Sequence, residues 1–96
     1  MSRQDSANFR TLEDTVAATS SEVLGPSPNR GYLAVFNLGD NDSQLMIGIG
    51  NPTTGVIDSE FPLGGGRVWS PSVTPTNPIH LRSGDGADCD YIIHEG

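Results

Sequence analysis

Short apolar segments separated by Gly and Pro clusters recur along the chain, and this layout predicts β-strands joined by turns. Residues 31–38, GYLAVFNL, form the clearest predicted strand because they are apolar at successive positions. Alternation puts an apolar set on each side of this strand: Tyr32, Ala34, Phe36 and Leu38 on one, Leu33 and Val35 on the other. A strand that is apolar on both sides lies inside a sandwich or against a neighbouring subunit.

The turn signals predict two hairpins. Residues 39–43, GDNDS, form a dense turn, so residues 44–49 are expected to pair with the strand at 31–38. Residues 79–82 and 90–95 are expected to pair in the same way across a turn rich in Gly and Asp.

The intervening segments are predicted to be less regular. Residues 51–60 read as an exposed loop, residues 67–70 as a short strand, and residues 71–78, with three prolines, as an extended connection. Residues 9–18 are the best helix candidate, although a strand or a single helical turn fits them equally well.

Together these elements predict an all-β protein: a small antiparallel β-sandwich or barrel of six to seven short strands with an extended N-terminal arm. Residues 1–20 are assigned to the arm and residues 21–96 to the sandwich domain. The chain length allows one domain with a thin core.

The charge is strongly one-sided, with 12 acidic residues, 5 Arg and no Lys, giving a net charge of −7. Such a surface repels phosphate backbones and anionic lipids, so nucleic-acid and membrane binding are not expected. No apolar segment reaches the length of a membrane span, and the N-terminus lacks a signal-peptide pattern, so synthesis and retention in the cytosol are expected.

Cys89 is the single cysteine, which rules out an intrachain disulfide and a thiolate zinc site. Small domains without such links often gain stability from partner subunits. We therefore expect the chain to form a homo-oligomer.

Four groups of residues are candidate chemical sites. The acidic turns around Asp40 and Asp85 resemble calcium loops in composition but not in spacing, which favours solvated turns. Cys89 is flanked by Asp88 and Asp90, which disfavour a thiolate and indicate an inert cysteine. Residues 64–66, GGG, are followed by a short strand in a chain without Lys, so they predict a turn and no phosphate site.

His80 and His94 fall on the two strands of the predicted last hairpin and could therefore face each other. No third ligand is fixed by spacing, so outward-facing strand residues are the favoured interpretation. We predict no catalytic residue, no metal, no cofactor and no enzymatic activity.

Residues 22–38, EVLGPSPNRGYLAVFNL, resemble small virion proteins of tailed bacteriophages, in which a Pro-Asn-Arg turn leads into a strand of this type. The likeness continues through the glycine-rich strand at 44–50, the turn at 63–66 before Arg67–Trp69, and the Pro-Thr-Asn-x-Ile segment at 75–79. It covers about residues 20–96 and consists of turn and strand chemistry.

The resemblance implies a capsid decoration, or cement, protein that binds the outer surface of the major capsid protein as a trimer or dimer. It implies location on the virion after synthesis in the host cytoplasm. The alternative is a receptor-binding or carbohydrate-binding module, or the base of a head or tail fibre, with a fibre protein as partner.

The residues expected at the capsid interface combine apolar and arginine side chains, which are common at interfaces. They are Phe9, Arg10, Leu12, Arg30, Arg67 and Trp69. Ordinary surface arginine is the competing interpretation for Arg30 and Arg67, and a core position is the competing interpretation for Trp69.

Overall fold

The computed structural model describes residues 10–40 and 42–96 and places eight β-strands in them. In chain order the strands are β1 (Arg10–Val16), β2 (Ser21–Leu24), β3 (Leu33–Asn37), β4 (Gln44–Gly50), β5 (Ile57–Gly64), β6 (Val68–Trp69), β7 (Ile79–Ser83) and β8 (Cys89–Glu95). The described residues contain no helix, so the candidate helix at 9–18 is a strand from Arg10 onward.

The strands form two four-stranded antiparallel sheets that pack face to face. The first sheet has the order β1-β8-β3-β6 and the second has the order β2-β7-β4-β5. Consecutive strands change sheet at every connection except β4–β5, which is a hairpin. Two four-stranded antiparallel sheets whose successive strands alternate between the sheets in this way form a jelly roll. The predicted small antiparallel β-sandwich is therefore confirmed.

Both predicted hairpins are wrong. β3 pairs with β8 and β6, whereas β4 pairs with β5 and β7 in the other sheet. β7 and β8 likewise lie in different sheets, so His80 and His94 are not cross-strand neighbours. A turn signal shows that the chain reverses, but it does not show whether the chain returns to the same sheet or crosses to the opposite one.

The strand count needs one further correction, and the structure shows what part of the predicted arm pairs with. Residues 57–60, predicted as loop, begin β5, so the described residues hold eight strands instead of six or seven. β1, which the sequence assigned to the N-terminal arm, pairs with β8 along its whole length from Arg10↔Glu95 to Val16↔Cys89. Residues 1–9 of that predicted arm, including Phe9, lie outside the described residues.

The core lies between the sheets and is built from the inward side of each strand. Leu33 and Val35 on β3 face the same interior as Leu45 and Ile47 on β4, and all are at most 1% exposed. The other core members alternate in the same way on the remaining strands: Val16, Leu24, Leu63, Ile79, Leu81, Cys89, Tyr91 and Ile93. Burying this apolar surface is the main stabilising term of the fold.

One polar side chain connects the two sheets inside this core. Asn37, at the end of β3, is 1% exposed and donates from Nδ2 to the carbonyl of Leu63 on β5 at 2.8 Å. Its Oδ1 accepts the backbone N–H of Gly39 at 2.8 Å and lies 3.3 Å from Cys89 Sγ. Asn37 therefore uses its amide to satisfy backbone groups that would otherwise be buried without partners.

We predict that Asn37→Leu, which keeps the side-chain volume, lowers the free energy of unfolding by about 2–4 kcal/mol because it orphans a buried carbonyl and an N–H. Urea unfolding followed by circular dichroism measures the change. Asn51→Leu is the control, since Asn51 Oδ1 accepts only from the N–H groups of Thr53 and Thr54 in an exposed turn. Equal losses in the two variants would contradict the bridging role of Asn37.

Candidate functional site

The outward side of the first sheet carries a run of apolar side chains. Because Leu33, Val35 and Asn37 face the core, strand alternation turns the other residues of β3 outward. Phe36 is the central outward residue, and it lies opposite Val68 on β6 and Ile92 on β8. These three neighbours form a row across three strands.

Two further apolar residues extend this row along β3. Tyr32 and Leu38, just beyond the two ends of the strand, are 43% and 45% exposed, and Val68 is 50% exposed. We define the outer stripe as these apolar side chains on the outward side of the first sheet: Tyr32, Phe36, Leu38, Val68 and Ile92. Phe36 and Ile92 are half-buried, and Ala34, between Tyr32 and Phe36 on the same side, is 1% exposed. Exposed apolar side chains grouped on the outside of a small domain are typical of a protein-binding surface.

Acidic residues border the outer stripe. Glu13 on β1 lies opposite Ile92, and the N–H of Leu38 donates to the carbonyl of Asp90 at the start of β8. Asp90 in turn accepts a hydrogen bond from Thr15 Oγ1 at 2.5 Å. The exposed Asp40 and Asp42 follow Leu38 in the chain. The surface is therefore an apolar centre with a predominantly negative border.

A buried arginine organises the opposite end of the sandwich from these acidic loops. Arg30, between β2 and β3, donates from Nε to Glu95 Oε2 at 3.0 Å, and its side chain is only 2% exposed. Its terminal nitrogens donate to the carbonyls of Gly25, Pro75 and Asn77 at 2.8–2.9 Å. Arg30 thus ties the 25–32 loop to the 70–78 connection and to β8.

Glu95 is shared between two arginines. Arg10 Nε on β1 donates to Glu95 Oε1, while Arg30 holds Oε2. Arg10 is 60% exposed along its side chain, so its remaining N–H groups face solvent. The pair with Arg30 is structural, because a buried guanidinium requires an acceptor for each donor.

A shallow depression of about 360 Å³ lies beside this cluster. It is lined by Ser27, Asn29, Arg30, Glu95 and Gly96. Ser27 is the one hydroxyl of the lining, and Glu95, the one carboxylate side chain there, is held by Arg10 and Arg30. The donors of Arg30 are mostly committed to protein carbonyls and Glu95, which leaves little to bind a ligand.

The outward side of the second sheet is polar. Arg82 on β7 donates from two nitrogens to the carboxylate of Glu60 on β5 at 2.8 and 2.9 Å. The hydrogen bonds between the two side chains lower the pKa of Glu60 and raise the pKa of Arg82. His80 covers Gly50, where an added Cβ would lie 2.9 Å from Nε2, and this nitrogen is 3.8 Å from Glu22 Oε1.

Two other groups have shifted pKa values. The hydroxyl of Ser83 and the N–H of Ala87 lower the pKa of Asp85, as expected for a carboxylate that closes a turn. Burial, assisted by the charge of Asp14, raises the pKa of Tyr91. Neither shift places a titrating group near neutrality, and both have structural causes.

The predicted interface residues occupy several places. Arg10 and Arg30 meet at Glu95, and Arg30 is buried instead of exposed. Leu12 and Trp69 pack against the core, and the Trp69 ring contacts Phe61 edge-on with centroids 5.0 Å apart. Arg67, which precedes Val68 in the chain, is exposed, and its side chain lies beside Gly64. Phe9 lies outside the described residues.

Sequence reasoning did not assign the outer stripe or Glu95 to a site. The stripe was signalled by the two-sided apolar pattern of residues 31–38, which predicts burial on both sides. Glu95 was signalled more weakly, as an acidic residue that continues the inward alternation of Cys89, Tyr91 and Ile93. The ion pair between Glu95 and Arg30 could not be predicted, because the two residues are far apart in the chain.

Residues 10–40 and 42–96 contain no group of three or more His, Cys, Asp or Glu side chains arranged to hold a metal ion. The same part of the chain contains no helix long and apolar enough to cross a membrane.

Comparison with known proteins supports the fold. No protein-family model and no curated protein matches the sequence. A de novo designed double-stranded β-helix, solved by NMR, is similar with a TM-score of 0.59 and 18% identity, over 91% of this chain and 99% of that one. A subunit of the disulfide-linked pili of Bacillus endospore appendages is similar with a TM-score of 0.56 and 14% identity, over 92% of this chain and 82% of that one. At these identities the likeness establishes a shared sandwich architecture alone.

We predict that Arg30→Met destabilises the fold by about 3–5 kcal/mol, because it leaves part of the Glu95 charge and three backbone carbonyls without a donor. Thermal and urea unfolding measure the effect. Arg82→Met is the matched control: it removes an arginine from an ion pair on the outer surface, where solvent screens the charges, and should have a much smaller effect. A comparable loss in both would show that the Arg30 cluster is not specially stabilising.

Proposed function

We propose that the protein is a structural binding module that attaches to a larger protein assembly, with capsid decoration of a tailed bacteriophage as the specific function. The supporting observation is the outer stripe, an apolar surface on a sheet whose other side already fills the core. Its residues have no packing role inside the sandwich that would explain the row Val68–Phe36–Ile92. Binding to a partner would bury them.

The fold is compatible with this function without specifying it. Jelly rolls occur in viral capsid proteins, lectins and cupins, so the architecture supports many roles. The resemblance of residues 20–96 to small phage virion proteins favours the first of these. In that setting the major capsid protein is the proposed partner and the outer surface of the virion the proposed location.

The proposed mechanism is mass action. A module that binds neighbouring subunits of an assembled shell, and binds separated subunits less well, stabilises the shell in proportion to its occupancy. The stripe would provide the apolar centre of the contact, and the acidic border from Glu13 to Asp90 would select a partner surface that carries basic residues.

The test is to add the purified protein to undecorated phage shells and to measure the melting temperature of the shell. We expect wild-type protein to raise it. Val68→Glu, which places a charge at the most exposed residue of the stripe (Val68 is 50% exposed), should weaken binding by roughly ten- to a hundredfold, because a carboxylate buried in an apolar contact without a partner is costly.

Val73→Glu is the matched control, because Val73 is 84% exposed and lies outside the stripe. It should bind like the wild type. Equal binding by Val68→Glu and Val73→Glu would reject the outer stripe as the contact surface. If shells are unaffected and the protein instead binds a glycan array, the receptor- or carbohydrate-binding alternative would replace capsid decoration.

A further inference from the structure

The two sheets have four edges among the described residues, formed by β1, β6, β2 and β5. An edge strand presents unpaired backbone N–H and C=O groups that can pair with another chain. Proteins prevent this with short strands, irregular register, proline and charge. Comparing the four edges therefore shows which of them is open to pairing.

Three edges carry recognised protection. β6 has two residues, and β2 has four residues with a register shift between Glu22 and Leu24. β5 is longer but contains Pro62, which has no N–H, together with the charges of Asp58 and Glu60. None of these three edges offers a long, regular row of backbone groups.

β1 differs from the other edges. It carries charges of both signs at Arg10, Glu13 and Asp14, but it has seven residues, contains neither Gly nor Pro, and pairs with β8 in continuous register without a bulge. One edge of β1 is thus hydrogen-bonded to β8 along its whole length. Within the described residues, no strand pairs with the other edge. Leu12, the third residue of β1, packs against the core but remains partly exposed.

The sequence of β1 restricts what can pair with it. When a second copy of β1 pairs antiparallel about a two-fold axis normal to the sheet, core-facing residues lie opposite core-facing residues. Three such registers pair most of the strand, centred on Leu12, Glu13 or Asp14. The last two place identical carboxylates directly opposite each other, which is destabilising.

The register centred on Leu12 has no such conflict. It places Leu12 against Leu12, Thr11 against Glu13, and Arg10 against Asp14 twice, once on each side of the axis. Arg10 is 60% exposed and binds Glu95 through Nε, and Asp14 Oδ1 accepts the N–H of Thr15. This pair would therefore use the terminal nitrogens of Arg10 and the second carboxylate oxygen of Asp14. Opposite charges and a shared apolar contact both favour this register.

We propose that two copies of the protein associate through β1, antiparallel and centred on Leu12, to form one continuous eight-stranded sheet. The two-fold axis is normal to the sheet, so the outer stripes of both copies face the same direction. This association uses the edge of the first sheet and does not depend on the partner that the stripe binds.

The test is disulfide trapping of the full chain in solution. Leu12→Cys should form a symmetric intermolecular disulfide under mild oxidation, because the two positions lie directly opposite each other. Glu13→Cys and Asp14→Cys should not do so, since they oppose Thr11 and Arg10 of the partner. The wild type controls for Cys89, which is buried.

Sedimentation equilibrium gives an independent measurement. The wild type should show a concentration-dependent monomer–dimer equilibrium, and Asp14→Arg should weaken dimerisation by about tenfold or more because Arg10 then faces arginine. Circular dichroism verifies that each variant is folded.

A wild-type chain that remains monomeric up to millimolar concentration would overturn the proposal. Trapping at Glu13 or Asp14 in preference to Leu12 would overturn the register. Because neither measurement involves a shell, failure here is distinguishable from failure of the proposed capsid function.

Discussion

The whole structure depends on the burial of two apolar sheet faces against each other. The described residues are joined by no disulfide, and the one cysteine is simply a small core side chain. The stability of the fold must therefore come from burying the inward residues of eight short strands. The two sheets pack closely only if the loops that connect them are held in fixed positions. Arg30 fixes these crossings at one end of the sandwich by holding three carbonyls and Glu95. Asn37 fixes the opposite end, where it joins β3 to β5.

The sequence predicted the class of the fold but not its connectivity. The apolar alternation in residues 31–38 and 90–95 identifies strands because side-chain period is a local property. Which strands become neighbours is decided by contacts between distant residues such as Ala34 and His94, which no local pattern encodes. The segments of β3, β4, β6, β7 and β8 were therefore predicted as strands, but β3 with β4 and β7 with β8 were wrongly paired as hairpins. β5 was missed because its outward residues are polar and it contains Pro62.

The site could be predicted in part for the same reason. The two-sided apolar pattern of β3 predicted either a position inside the sandwich or contact with a neighbouring subunit. The structure shows one side of β3 in the core and the other facing outward, in a row with Val68 and Ile92. The arginines were harder to interpret. Arg30 and Arg67 look alike in sequence, yet the first is buried with four hydrogen bonds and the second is exposed beside Val68. Their difference arises from where the loops fold, which depends on Glu95 at the far end of the chain.

The apolar character of both sides of β3 has a consequence for the accuracy of folding. In most strands, a slip of one residue is prevented because it would bury polar side chains and expose apolar ones. In β3 the slip would exchange Leu33 and Val35 for Ala34 and Phe36, so hydrophobicity alone distinguishes the two alignments poorly. The amide of Asn37 removes this ambiguity, since it can meet the carbonyl of Leu63 in one alignment alone. A single buried polar side chain thus fixes the alignment of a strand whose apolar residues alone would allow two alignments.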